Sequence, residues 1–206
     1  MYIYGASGHG RVIIDLIESY DKIHGIFDDN PEKRNILSYP VLGPIPNDYQ
    51  FKSSLFIAIG DNQTRRRIAL ELSHRVRFSN IIHDSAIFSK RAFLGSGCVV
   101  MEGAIIKVNC TLADQVIVNT GASVDHDCTI GDYVHIAPQA TLCGGINVGE
   151  GSLIGANAII LPGVQVGNWC TVGAGSIVHQ DIPDGHKWIG NKMLIPLVNT
   201  AVEKYK

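Results

Sequence analysis

From Ile82 onward the chain places an apolar residue at every sixth position, through Phe88, Leu94, Val100 and Ile106 to Val172 and Val178, seventeen positions without a miss. A strand has period two and a helix about 3.6, so neither alone produces a strict six. A hexapeptide repeat does, and it predicts a parallel β-helix. A second register supports this. Two residues before each apolar position stand mostly small ones, among them Ala86, Ala92, Cys98, Ala104, Cys110, Ala122, Cys128 and Ala158. Residues i−2 and i of a strand share a face. Each unit therefore sends one small and one large side chain inward and then turns, and three units close one triangular coil of 18 residues. Roughly five coils at about 4.8 Å per strand spacing make a prism roughly 25 Å tall.

The first eighty residues follow another pattern. Tyr2 to Tyr4 reads as a short strand, and Gly5-Ala6-Ser7-Gly8-His9-Gly10 as a glycine-rich turn. Val12, Ile13, Leu16 and Ile17 then have helical spacing over Arg11 to Tyr20. Ile23 to Phe27 is a second strand ending at Asp28-Asp29, and Pro40, Pro44 and Pro46 punctuate a loop. Ser54 to Ile59 is a third strand closing on Gly60-Asp61-Asn62, and a helix follows over Gln63 to Ser73. Alternating strand and helix predict a small parallel α/β domain. The expected division is residues 1–80 for this domain, 81–190 for the prism and 191–206 for a tail.

The 206 residues suffice for two small domains. A net charge of −2 without a basic run argues against nucleic acid as a partner. No apolar segment approaches the ~20 residues of a membrane span. The start at Tyr2-Ile3-Tyr4-Gly5 has no charged leader, so the expected location is the cytoplasm. Of five cysteines, Cys98, Cys110, Cys128 and Cys170 fall on the small inward register and read as buried hydrophobes. Cys143 lies off it. No CxxC or Cys/His spacing suggests zinc, so no metal is expected.

The glycine turn runs G-x-x-G-x-G rather than the dinucleotide order G-x-G-x-x-G. The physics is still similar: glycines admit a ligand to the backbone, and the helix starting there offers free N–H groups to a phosphate. Asp28 ends the second strand, where an acid can hold a ribose hydroxyl. A nucleotide-sugar fits an 80-residue domain better than a whole dinucleotide, and the plain alternative is a structural turn with a capping aspartate.

Polar exceptions mark the prism. His126, between Asp125 and Asp127, falls at an outward-facing corner, where a carboxylate can fix its tautomer and favour its protonated form, as a general base requires; an exposed turn histidine among solvated acids is the alternative. Eighteen residues on is Gly144, whose missing side chain would leave room for substrate above the imidazole and whose N–H could serve an oxyanion. Asn119 could be a corner amide. His135 faces out from a flat wall, the place of an interface or surface residue. His9 could meet a ligand, His83 and His179 lie at the prism ends, and His24, His74 and His186 read as surface residues.

The glycine turn, the strand ends at Asp28-Asp29 and Phe56–Asn62, the uninterrupted hexapeptides, and Asn119 with Asp125-His126-Asp127 together resemble the PglD/NeuD-type sugar acyltransferases. The resemblance implies a Rossmann-like α/β domain followed by a left-handed parallel β-helix. It implies a homotrimer with acetyl-CoA lying between neighbouring prisms, and acetylation of nucleotide-linked amino sugars or sialic acids. By resemblance, His126 is the catalytic base, Asp127 the acid that raises its basicity (glutamate in many members), Asp125 a fallback orienter and Asn119 an active-site amide. Gly5, Ala6, Ser7, His9, Asp28, Asp29 and Gly60 match the nucleotide region, and His135, Ala156 and Ala174 match the coenzyme groove. The chain departs where members often carry G-x-P-A-K, reading Gly190-Asn191-Lys192-Met193 instead.

The expected reaction is acetyl transfer to the 4-amino group of a 4-amino-4,6-dideoxy sugar on a nucleotide, with UDP as the expected carrier and GDP or dTDP as alternatives. Rivals are O-acetylation of a sialic acid, a noncatalytic nucleotide-sugar sensor or scaffold, and a zinc lyase. The last would need a third histidine convergent with His126 and His135, which the spacing does not supply.

Overall fold

The computed structural model describes residues 1–18 and 21–194. The small domain has the order β1 (Tyr2–Tyr4), α1 (Gly8–Ile17), β2 (Gly25–Phe27), β3 (Asn35–Ile36), β4 (Tyr39–Pro40), β5 (Leu55–Ile57) and α2 (Asn62–Leu72). Its sheet is parallel in the order β2-β1-β5, with Ile3 opposite Ile26 and Phe56. The expected helix from Arg11 begins three residues sooner, at Gly8, because Ser7 is the extended cap and the glycine turn itself forms the first helical turn. The expected proline loop holds the antiparallel β3–β4 hairpin.

From Ile81–Ile82 to Ile177–Val178 the chain makes seventeen two-residue strands, each followed by a corner. They stack into three parallel walls. One wall has eight strands, including two from the hairpin Lys187–Ile189 and Lys192–Leu194, another has six and the third five. The register is eighteen residues per coil, as in Ile117 beside Val99 and His135. From Cys98 on the predicted inward residues form the core: Cys98, Val100, Ala104, Leu112, Ala122, Val124, Cys128 and Ile130 are wholly buried, and Trp188 joins them at the last coil. At the open first coil, by contrast, Ala86, Phe88, Ala92 and Leu94 are partly buried and Ile82 is exposed. The buried hydroxyl of Ser152 donates to the Gly167 carbonyl at 2.7 Å and accepts from the Cys170 amide at 2.8 Å, which satisfies a polar group inside the prism. The last hairpin extends the prism sheet to Leu194, past the expected boundary at 190, and the rest of the expected tail lies outside the described residues.

The three walls differ in what their outward residues meet. On the eight-stranded wall Ile81, Val99 and Ile117 are buried, packed with Ile13, Ile14 and Ile17 of α1 and with Ile3 and Phe56 of the sheet. We call it the domain wall. At roughly 1.5–3 kcal/mol for each fully buried aliphatic side chain, this contact ties the small domain firmly to the prism. The six-stranded wall turns out Ile87, Ile105, Ser123, Thr141, Ile159 and Ile177, of which Ile87, Ile159 and Ile177 are exposed. This is the isoleucine wall. The five-stranded, polar wall turns out Phe93, Thr111, Thr129, Asn147 and Gln165.

Candidate active site

The predicted site residues gather at two different corners of one chain. His126 stands between Ser123–Val124 and Thr129–Ile130, at the corner joining the isoleucine and polar walls. Its Nδ1 is 2.7 Å from Asp127 Oδ2, and its backbone N–H donates to Asp125 Oδ1 at 2.7 Å. The second Asp127 oxygen accepts from Asn109 Nδ2 at 3.0 Å. Asp127, not Asp125, is therefore the carboxylate that holds the ring, while Asp125 caps the turn. A carboxylate acceptor at Nδ1 places the proton there and leaves the Nε2 lone pair free. The hydrogen bond to Asp127, with the charge of Asp125 behind it, raises the His126 pKa above its ordinary value. The same pairing, with Asn109, holds Asp127 below the carboxylate range.

Gly144 occupies the equivalent corner one coil on, and its role differs from the expectation. A Cβ there would stand 2.5 Å from Cε1 and 2.6 Å from Nε2 of His126. The imidazole itself fills the space that the sequence left for a substrate. The Gly145 N–H is taken up by the His126 carbonyl at 2.9 Å. Among the described residues the Gly144 N–H makes no backbone hydrogen bond.

Asn119 stands at another corner, where the domain wall turns into the isoleucine wall, between Ile117–Val118 and Ser123–Val124. Ala156 and Ala174 follow Leu153–Ile154 and Thr171–Val172 at that same corner in higher coils. The isoleucine wall thus separates the Asn119, Ala156 and Ala174 edge from the His126 edge.

His135 corrects the expectation of an open flat wall. It does point outward from the prism, but the chain's own small domain half-buries it, and it lines a cleft with Gly60, Asn62, Leu153 and Thr171. Its Nδ1 lies 3.3 Å from the Gly60 carbonyl and its Nε2 3.2 Å from Asn119 Nδ2. The His9 ring lies 6.4 Å away, centroid to centroid. Burial, with the nearby charge of Arg65, pushes His135 down to about 4. Burial, followed by His135 and Arg65, takes His9 to about 4 as well. Both rings are neutral at physiological pH, and the buried His9 Nε2 has no hydrogen-bond partner among the described residues.

The remaining predicted residues line the carboxyl ends of the parallel strands, where α/β sheets bind ligands. The Gly5 φ is +117°, and a Cβ there would meet the Ala58 carbonyl oxygen at 2.7 Å, so only glycine fits. Ser7 caps α1 through its backbone, without a side-chain bond. Asp28 is more occupied than expected. Its carboxylate accepts from the Ala6 amide at 2.7 Å, the Asn30 amide at 2.9 Å and Lys33 Nζ at 2.9 Å. Burial opposes its charge, but Lys33 and the two amides outweigh burial and keep the carboxyl below its usual range. Asp28 thus braces the glycine turn, whereas Asp29 is exposed. Asp29 also lines a cleft with Tyr4, Pro44 and Ile45. Burial and then the carboxylate of Asp29 raise the Tyr4 hydroxyl pKa.

Sequence reasoning missed Asn109 and Arg65. Arg65 is 1% exposed and bonds both domains. Asn62, Arg65, Ile68, Ala69 and Leu72 form the buried face of α2. That spacing was the available signal, but Arg65 stands beside Arg66 and Arg67 in a mostly polar helix, and nothing in the sequence sets it apart from them.

With this geometry in hand, residues 1–72 match the PglD N-terminal domain and residues 145–180 the six-repeat bacterial transferase hexapeptide. The acetyltransferase domain of PglB from Neisseria gonorrhoeae superposes with a TM-score of 0.87 at 35% identity, over 95% of this chain and 98% of that one. The chain belongs to the PglD/NeuD-type sugar acyltransferase family. PerB from Caulobacter crescentus, solved in complex with CoA and GDP-perosamine, is a further relative of this family. It shares 35% identity over 94% of this chain and 95% of that one, with a TM-score of 0.85. The Bacillus subtilis UDP-N-acetylbacillosamine N-acetyltransferase is 38% identical over 107 residues, so the matched stretch covers 48% of this chain and half the length of that curated relative. No helix among the described residues is long and apolar enough to cross a membrane.

Proposed function

We propose that the protein is an acetyl-CoA-dependent N-acetyltransferase acting on the 4-amino group of a nucleotide-linked 4-amino-4,6-dideoxy sugar, with UDP as the carrier. The observation that carries this reading is the His126–Asp127 pair, a basic imidazole whose free Nε2 faces out from a prism corner. The relatives supply the substrate classes, since one binds CoA and GDP-perosamine and another is named for a UDP-linked amino sugar. Nε2 of His126 removes a proton from the amine as the nitrogen attacks the thioester carbonyl. Asp127 stabilises the imidazolium, and the Gly144 N–H faces the oxyanion. Collapse of the tetrahedral intermediate breaks the carbon–sulfur bond, and the imidazolium proton leaves with the thiolate as free CoA thiol. Base catalysis supplies typically 10²–10⁴-fold, and positioning much of the rest.

The two separated corners are reconciled by association. A homotrimer packed through the isoleucine wall would bring the Asn119, Ala156 and Ala174 edge of one protomer to the His126 edge of its partner. The outward row of that wall supports this arrangement, because Ile87 toward one end and Ile159 and Ile177 toward the other are exposed there and suit a protein–protein contact. Acetyl-CoA would lie along the Ala156 and Ala174 edge, and the nucleotide at Gly5, Ala6, Ser7, His9, Asp29 and Gly60.

The test is a panel of UDP-, GDP- and dTDP-linked 4-amino sugars with acetyl-CoA, followed by thiol release. The reading expects turnover with a nucleotide-linked amine, fastest with UDP, and little with free sialic acid. Thiol release only with sialic acid would replace it by O-acetylation, and coenzyme binding with no turnover on any acceptor would make the protein a sensor or scaffold.

A further inference from the structure

We infer that Arg65 is a positioning residue for Asn119, acting through the Gly60 carbonyl and the His135 ring. The inference rests on the reading of Asn119 as a site amide. Among the described residues no carboxylate bonds to the Arg65 guanidinium. It donates instead to five oxygens: from Nη1 to the Ile59 and Gly60 carbonyls at 2.9 and 3.1 Å, from Nη2 to Asn62 Oδ1 at 2.8 Å and the Tyr133 carbonyl at 2.7 Å, and from Nε to the Gln115 carbonyl at 3.0 Å. Three of these belong to the small domain and two to the prism, so one side chain fixes the β5–α2 turn on the domain wall. Burial lowers its pKa to about 10, which leaves it charged at neutral pH.

The consequence passes along a defined set of bonds. The Gly60 carbonyl can only accept, so Nδ1 of His135 carries the proton. A neutral ring then accepts at Nε2, and its partner there is Asn119 Nδ2. At its other end Asn119 Oδ1 accepts from the Thr120 amide at 2.8 Å. Two backbone groups, one donor and one acceptor, thus set both the imidazole tautomer and the amide orientation. A protonated His135 would point Nε2–H at the Asn119 amide protons, and turning the amide over would break the Thr120 bond. The arrangement works only with a neutral ring. The charged group that faces it is Arg65 from α2, and the other ionisable neighbour is His9 from the α1 turn. The remaining amide proton and carbonyl lone pair of Asn119 are then held in a fixed direction at the corner that carries Ala156 and Ala174.

The test uses the full chain and NMR titration of the histidine ring protons, with His135 assigned by the loss of its signal in His135→Gln. In the wild type His135 is expected to stay neutral from pH 8 down to 5. Arg65→Met is expected to raise its midpoint by about one unit, while Arg65→Lys, which keeps the charge, leaves it low. If Arg65→Met does not fold, Asn119→Asp serves: a carboxylate facing Nε2 is expected to raise the midpoint by a similar amount. A second readout is the double-mutant cycle on kcat. Arg65→Met added to Asn119→Ala should cost less than threefold beyond Asn119→Ala alone, because a residue acting through Asn119 has nothing left to position. A His135 that titrates near its ordinary value in the wild type, or that is indifferent to a folded Arg65→Met or, where that variant does not fold, to Asn119→Asp, overturns the inference. So does full additivity in the cycle. The titration needs no substrate, so it stands apart from the fate of the acetyltransferase reading.

Discussion

The imidazole of His126 rests on the α-carbon of Gly144, with the position of a would-be Cβ only 2.5 Å from Cε1. One residue supplies the candidate base, and another, eighteen residues later, supplies the floor beneath it. The glycine is needed for space and not for backbone freedom, since its φ lies outside the left-handed region.

Gly144→Ala is therefore a steric probe of a single ring. The added methyl must push His126 off its bond to Asp127. We expect kcat to fall by about 10²-fold, the scale of lost base catalysis, with the melting temperature nearly unchanged. Steady-state thiol release alongside thermal unfolding checks both halves, and an unimpaired enzyme would show that the ring's seat does not matter.

Asp127→Asn tests the origin of the His126 basicity. The carboxylate raises the imidazole pKa, so its removal lowers it. The base must be deprotonated to act, and hence the acid limb of the kcat profile should move to lower pH while the plateau drops by about tenfold or more. An acid limb that stays in place would assign it to another group.

Ile159→Asp places a charge on the isoleucine wall, one strand in from its last at Ile177. If the protomers associate there, sedimentation should show a smaller species, and activity should fall with it because the two half-sites part. Thr129→Asp, on the polar wall, is the matched control and should change neither. A monomeric wild type with full activity would refute the shared site.

Trp188→Ala removes the largest side chain of the prism core, 1% exposed, together with the indole N–H that donates to the Gly190 carbonyl at 2.9 Å. Buried aromatic truncations cost about 3–5 kcal/mol. Urea unfolding should show a loss of that size, and a loss under 1 kcal/mol would mean that the last coil is uncoupled from the rest.

The prism was legible because its signal repeats: a six-residue period that persists over Ile82 to Val178 leaves one architecture. The outward rows were legible in principle too, since Ile81, Val99 and Ile117 recur every eighteen residues on the wall that the small domain covers. The docking of that domain was not read, however, because a row of outward apolar residues fits an intramolecular partner and a second protomer equally well. His135 shows the cost. Its place on a wall was correct, yet the sequence does not say that the β5–α2 turn folds over it. Arg65 was hidden for a related reason. An arginine among arginines looks solvated until five oxygens from two domains converge on it. Asp28 was read as a ligand acid, and the sequence did not show that Ala6, Asn30 and Lys33 also bond to its carboxylate.

His126→Ala puts the account to its most direct trial, with coenzyme binding measured by calorimetry and turnover by thiol release on the best nucleotide-linked amine. The account predicts a rate reduced at least about 100-fold and a dissociation constant for CoA that is unchanged. Turnover close to that of the wild type would contradict it.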